Sequence, residues 1–186
     1  MSTKNKFPKE YINLLNMDKI LKNTTNIDKL KVTLKHNEIK GTGLYATKHI
    51  KNDEIIAYYR ITAFDYHRYT SPTNYIYAFD VYTPTGRESK NLIGDIDLNS
   101  FPKQVNDIPF WAPFANEPSV GQKINSEIDL NIDENYKNKK QKRIKHLQQL
   151  TYKLIAKCDI FPGDEITLYY GDEYPRNYEI DCIEKY

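Results

Sequence analysis

A mainly β protein with few helices (β+α) is predicted from three observations near the end of the chain. Residues Tyr152 to Ile160 alternate, with Leu154, Ala156 and Cys158 against Lys153, Lys157 and Asp159, which is the period of a half-buried strand. Phe161-Pro162-Gly163-Asp164 is turn chemistry, with Pro fixing φ and Gly following it. Glu165 to Tyr170 is then a second short β-rich run, so the stretch reads as a hairpin that delivers tyrosines to one spot. Two adjacent tyrosines are equally compatible with strand packing.

Upstream, the elements follow in order. Pro8 to Leu21 places Tyr11, Leu14, Leu15, Ile20 and Leu21 at the spacing of a short amphipathic helix entered at Pro8. Lys31 to Lys35 alternates as a strand, and Lys40-Gly41-Thr42-Gly43 reads as a turn. Leu44 to Tyr59 reads as strand, turn, strand. Tyr75 to Tyr82 looks like a strand, Thr83 to Gly86 a turn, and Leu92 to Asp97 a return strand. The Gly41-Thr42-Gly43 pair lacks the third glycine and the helix of a dinucleotide-binding loop.

With 186 residues and 21.9 kDa, one domain with a buried core accounts for the chain. We divide it into a helical prefix (1–31), a domain (32–178) and a tail (179–186). A tyrosine-rich middle stretch (62–108) and a basic loop (135–146) lie within the domain. A hydrophobic fraction of 39% with 28% charged residues predicts a soluble, folded protein. The net charge of +2 is too mild to argue nucleic-acid binding by the whole chain. Cys158 and Cys182 have no metal-ligand spacing and form no disulfide framework. No apolar run approaches a membrane span or a signal peptide's core, so an intracellular protein without membrane contact is expected.

Three stretches carry a more specific signal. Gly41 to Tyr59 fits G-x-G-L-(F/Y)-A-x-x-x-I-x-x-(G/D)-E-x-(I/V)-x-x-Y without a gap, and Ile160 to Gly171 fits I-x-x-G-(D/E)-E-(L/I)-T-x-x-Y-G. Between them, Phe114, Asn116 and, across a longer spacer, Asn125 keep part of an R-F-I-N-H-S-C-x-P-N pattern. Together these resemble, in order, the landmarks of the SET-domain protein lysine methyltransferases. In its compact build the chain is similar to viral members that lack a post-SET cysteine cluster. It departs from the family at Pro113, Glu117, Pro118 and Ser119, which stand for Arg, His, Ser and Cys. It departs again at Tyr169, where many members have Asp, and at Tyr59-Arg60-Ile61, where members commonly continue as Tyr-x-Gly.

The resemblance implies small curved β-sheets around a pseudoknot-like C-terminal crossing, and it makes the middle stretch (62–108) a variable insert. It implies transfer of a methyl group from S-adenosylmethionine to a protein lysine, on histone tails or another basic protein. By the same carry-over, Tyr170 and Tyr59 are the catalytic candidates. Thr42, Gly43, Leu44, Tyr45, Asn116, Glu117 and Tyr174 would hold the cofactor, with Glu117 reaching adenine only through backbone atoms. Tyr59, Leu168 and Tyr178 would line the substrate channel. Leu168 falls where many relatives place Phe or Tyr, and the smaller side chain leaves room for a second or third methyl. No metal is expected, since only Cys182 follows Tyr170 where many relatives carry a zinc-bound cluster; Tyr174 and Tyr178 would form the lid instead.

The chemistry suits these residue types. A free lysine has a pKa near ~10.4, and burial beside a sulfonium lowers it, so no dedicated base is required. Tyrosine faces attract the methyl and ammonium cations by ~0.5–2 kcal/mol each. Two other readings stand beside this one. The changes at Pro113, Glu117 and Pro118 fit a catalytically impaired SET scaffold that binds peptides without methyl transfer. The acid-free run Lys137 to Lys145 is either a solvated loop or a weak nucleic-acid contact. A methyltransferase acting on chromatin would work in the nucleus or cytoplasm, of a host if the chain is viral.

Overall fold

A computed structural model of the chain describes residues 15–67, 70, 79–82, 88–129, 144–172, 174, 176 and 178–180. The fold is mainly β, as expected, and a single α-helix is present among these residues. That helix, α1, is Met17–Asn23. The Asn16 side chain accepts the Lys19 N–H and caps its first turn. Thr24 ends it, its hydroxyl donating to the Ile20 carbonyl at 2.7 Å. Ile20 is the buried residue that docks α1 on the core. The part of the predicted helix from Pro8 to Leu14 lies outside the described residues.

Strands β1 (Val32–Asn37) and β2 (Gly41–Ala46) form an antiparallel hairpin. The predicted turn at Lys40–Gly43 is displaced. Asn37 accepts the N–H groups of Ile39 and Lys40, and Gly41 takes the positive φ of +79° that starts the return strand. Thr42 and Gly43 are therefore strand residues, opposite His36 and Lys35.

The remaining strands are β3 (Ile55–Asp65), β4 (Phe79–Tyr82), β5 (Glu88–Ile96), β6 (Gln104–Val105), β7 (Ile108–Pro109), β8 (Ser126–Asp129) and β9 (Gln149–Ala156). Five of them make one antiparallel sheet in the order β4-β5-β3-β9-β8. β3 is central and buried on both faces at Ile56 to Tyr59. It runs straight through Arg60 and the fully buried Ile61, so the absent glycine there is matched by an absent turn. The predicted strand from Tyr75 begins, within the described residues, at Phe79; Tyr75 to Ala78 and the predicted turn Thr83 to Gly86 lie outside them. β6 and β7 form a small ribbon closed by Asn106 and Asp107, both at positive φ, which is the geometry of a two-residue hairpin.

β9 shows the predicted alternation, with Leu150, Tyr152, Leu154 and Ala156 buried. It ends at Ala156 and not at Ile160, and Cys158 is exposed. The chain bends away at 157–158 because Ile160 exchanges backbone hydrogen bonds with Ile50 at 2.8 and 2.9 Å.

The run after Phe161-Pro162-Gly163-Asp164 does not return along β9, so the predicted hairpin is not formed. Glu165 instead bridges Tyr45, while Thr167 and Leu168 lie parallel to Asn116 and Ser126. The Leu168 N–H donates to the Asn116 carbonyl at 2.9 Å, and the Thr167 carbonyl accepts the Ser126 N–H at 3.1 Å. These two groups belong to one trans peptide unit and point opposite ways. Asn116 and Ser126 therefore grip the two edges of the same segment. The loop between them straddles it, which is the predicted pseudoknot-like crossing.

The crossing is tied by side chains as well. Asn125 accepts the Thr167 N–H and donates to the Glu165 carbonyl, both at 2.8 Å. The fully buried Thr167 hydroxyl donates to the Lys123 carbonyl at 2.7 Å. Below the crossing, Trp111 is fully buried with its indole N–H on the Phe101 carbonyl, and Phe101 packs on Phe114. Among the described residues no helix is long and apolar enough to cross a membrane.

Candidate active site

The crossing sets Tyr170 beside the 115–117 segment, and that segment holds it at two points. The Tyr170 hydroxyl donates to the Ala115 carbonyl at 2.8 Å, and its N–H donates to Glu117 Oε1 at 2.9 Å. The ring meets that of Tyr174 edge to face, with centroids 4.8 Å apart. Burial pushes the Tyr170 phenol well above the usual tyrosine range; neighbouring Tyr59, Tyr174, Tyr178 and Glu117 push the same way. The phenol is thus neutral and, with its proton engaged, can accept further hydrogen bonds.

Tyr59 reaches this neighbourhood from β3, where it is buried and lies opposite Tyr152 of β9. Tyr59 is among the groups that act electrostatically on Tyr170.

Gly43 closes the other side of the 115–117 segment. A Cβ placed on it would stand 2.9 Å from Asn116 Nδ2, 2.9 Å from the Tyr45 ring and 3.1 Å from Glu165 Oε1. A side chain here would have to displace the ends of the Asn116, Tyr45 and Glu165 side chains. Asn116 Nδ2 donates to Glu165 Oε1 at 3.1 Å. The other Glu165 oxygen accepts from Lys40 at 2.9 Å and Gln122 at 3.1 Å. Lys40 and Glu165 are both largely shielded, with 14% and 8% of their side chains exposed, so water screens their attraction little, while the cost of desolvating both charges offsets part of it.

The other expected cofactor residues are placed less uniformly. Thr42 is half-buried in the hairpin, and Tyr45 carries the Lys35 ammonium over its ring at 5.1 Å. The Leu44 side chain belongs to the core, and its carbonyl accepts the Ile166 N–H. Leu168 is likewise a core residue with 8% exposure.

Glu117 is only 4% exposed, and its carboxylate is the focus of the C-terminal segment. Arg176 donates from Nε to Oε2 at 2.8 Å and from Nη2 to Oε1 at 2.5 Å, and the Tyr178 hydroxyl donates to Oε2 at 2.8 Å. Burial works to raise the Glu117 carboxyl. The hydrogen bonds from Arg176, the Tyr170 N–H and Tyr178 nonetheless hold it below the ordinary carboxylate value. Tyr178 is pushed up by burial and then by Glu117.

Sequence reasoning missed Arg176, Lys40, Gln122 and the Glu165 side chain. One signal was available: an acid at Glu117 within Trp111-Ala-Pro-Phe-Ala-Asn-Glu-Pro is due to be buried, and a buried carboxylate demands a cation. The run Lys137 to Arg143 and Cys182 lie outside the described residues. Among the described residues no group of three or more His, Cys, Asp or Glu is placed to hold a metal. An open cleft lined by Lys29, Lys31, Glu54, Ile55, Ile56 and Asn106 to Ile108 includes none of the expected site residues.

No protein-family model matches the sequence, and no curated protein matches it. Among solved structures the chain is similar to a Plasmodium falciparum protein provisionally described as a histone methyltransferase. The TM-score is 0.49 at 16% identity, over 78% of this chain and 96% of that one. That likeness concerns the course of the chain.

Proposed function

We propose that this chain is a SET-type protein-lysine N-methyltransferase that uses S-adenosylmethionine, with histone tails or another basic protein as substrate. One observation carries the reading. Gly43, Asn116 and Tyr170 come from three separate stretches, yet the first two lie against each other and the third bonds the carbonyl next to Asn116. The resemblance implied that convergence, and the crossing at Thr167 and Leu168 is compatible with it.

The residues present fit the cofactor in chemical type. Glu165 would offer a carboxylate to an ammonium and Lys40 a cation to a carboxylate if their mutual pair opened, and Gly43 leaves a bare backbone beside them. Asn116 joins the two walls. When bound, the cofactor supplies a methyl group already made electrophilic by its sulfonium. The chain's own residues do the rest. Tyr170 and Tyr59 present aromatic faces to cationic groups, and the Tyr170 oxygen can accept from the substrate amine and orient it. Burial of that amine favours its neutral, nucleophilic form. The carboxylates nearby, Glu117 and Glu165, are paired with Arg176 and Lys40, so rate comes from positioning and from fixed dipoles such as the Ala115 carbonyl.

Isothermal titration with S-adenosylmethionine tests the first half of this reading. Binding near one site per chain is expected, and its absence would count decisively against the proposal. Mass spectrometry of core histones incubated with the protein and labelled cofactor tests the second half and identifies the lysine.

A further inference from the structure

Glu117 stands where the resemblance implies a histidine, and its carboxylate turns toward the C-terminal segment. Four donors converge on it: the Tyr170 N–H, two nitrogens of Arg176, and the Tyr178 hydroxyl. The same guanidinium reaches back to the Gly171 carbonyl at 2.6 Å and the Tyr174 carbonyl at 3.1 Å. It also lies over the rings of Tyr169 and Tyr174, 5.1 and 5.5 Å from their centroids. One ion pair therefore fixes the backbone at Tyr170, at the two residues Gly171 and Tyr174 beyond it, and at the phenol of Tyr178.

A pair this buried is a poor source of net stability, because desolvating both charges offsets their attraction. Its geometry is nonetheless specific: a planar fork spanning both carboxylate oxygens defines direction as well as distance. Met or Leu at the two positions would fill the space without defining where Tyr170 and Tyr174 sit.

We infer that Glu117 and Arg176 form a clip that positions Tyr170 and seats Gly171, Tyr174 and Tyr178 beside it. Glu117 and Arg176 are positioning residues and do not touch the reacting atoms. The catalytic consequence rests on the methyltransferase reading; the clip itself does not.

The test compares the full-length wild type with R176M, R176K and the double variant E117M/R176M by amide hydrogen exchange. In R176M the amides of Tyr170 and Tyr174 should exchange about tenfold faster, with β3 and β9 unchanged. The double variant removes both charges at once, so its melting temperature should recover toward wild type while those two amides stay fast. A role confined to stability would restore both. If R176M loses protection in β3 and β9 as well, R176K is read the same way, since it keeps the charge but cannot span both oxygens. Unchanged exchange at Tyr170 and Tyr174 in these variants overturns the clip.

Turnover gives a separate readout. If the wild type transfers methyl groups, R176M should lower kcat about tenfold with little change in KM for the lysine substrate; an unchanged kcat overturns the positioning role. A wild type that binds no S-adenosylmethionine defeats the methyltransferase reading, while the exchange result still decides the clip.

Discussion

The hydroxyl of Tyr170 donates to the carbonyl of Ala115 at 2.8 Å, across 55 residues of intervening chain. That single bond links the tail of the crossing to the segment that the tail passes. It spends the phenolic proton on the protein and leaves the oxygen's lone pairs to the site. Tyr170→Phe removes the oxygen and little else. We expect a stability loss of about 1 kcal/mol and a fall in methyl transfer of about a hundredfold or more. Urea unfolding and a labelled-cofactor assay on the same preparation check the two effects together.

Gly43→Ala tests the close approach of β2 to the 115–117 segment. The added Cβ would meet Asn116 Nδ2 at 2.9 Å and Glu165 Oε1 at 3.1 Å. Its effect is steric, on contacts rather than on backbone dihedrals. Overpacking of this kind costs about 1–3 kcal/mol. Calorimetric titration should show cofactor affinity lowered by about tenfold or more, in step with a displaced Asn116 amide.

Thr167→Val probes the crossing. Valine keeps the shape of a fully buried threonine but loses the hydroxyl that donates to the Lys123 carbonyl and accepts the Asn125 N–H. The Lys123 carbonyl and the Asn125 N–H, both in part-buried hydrogen bonds, lose a partner, at about 0.5–1.5 kcal/mol each. Chemical denaturation should show a lower midpoint with an unchanged slope.

The pH dependence of the clip has a defined sign. The folded pKa of Glu117 lies below its ordinary value of 4.5. Its contribution is therefore fully present above that value and is lost as pH falls through the folded pKa. Glu117→Gln cannot ionise. The difference in melting temperature between wild type and E117Q should be constant near neutrality and shrink below about pH 4.5. A difference that instead grew on acidification would contradict this assignment.

What the sequence made legible was mostly local. The alternation of β9 foretold its buried face, because a period of two is written into neighbouring residues. The hairpin expected after Pro162-Gly163 was wrong for the opposite reason. The turn is real, but Glu165 to Leu168 pairs with Tyr45, Asn116 and Ser126, partners some 40 to 120 residues away along the chain. No local pattern distinguishes a strand that returns along its neighbour from one that passes under a distant loop. Gly41 to Gly43 misled similarly: two close glycines read as a turn, whereas Asn37 makes the turn and Gly43 is there for a contact with Asn116. Arg176 was invisible because its partner, Glu117, lies 59 residues upstream. The gathering of Gly43, Asn116 and Tyr170 was expected only from the family resemblance of the motifs, and no composition or periodicity implied it.

The central claim is methyl transfer at Tyr170. The most direct measurement incubates wild type and Y170F with methyl-labelled S-adenosylmethionine and core histones, and then maps label by mass spectrometry. The account predicts label on lysine side chains with wild type and about a hundredfold less with Y170F. Equal labelling by the two proteins, or none by a wild type shown to be folded, would contradict it.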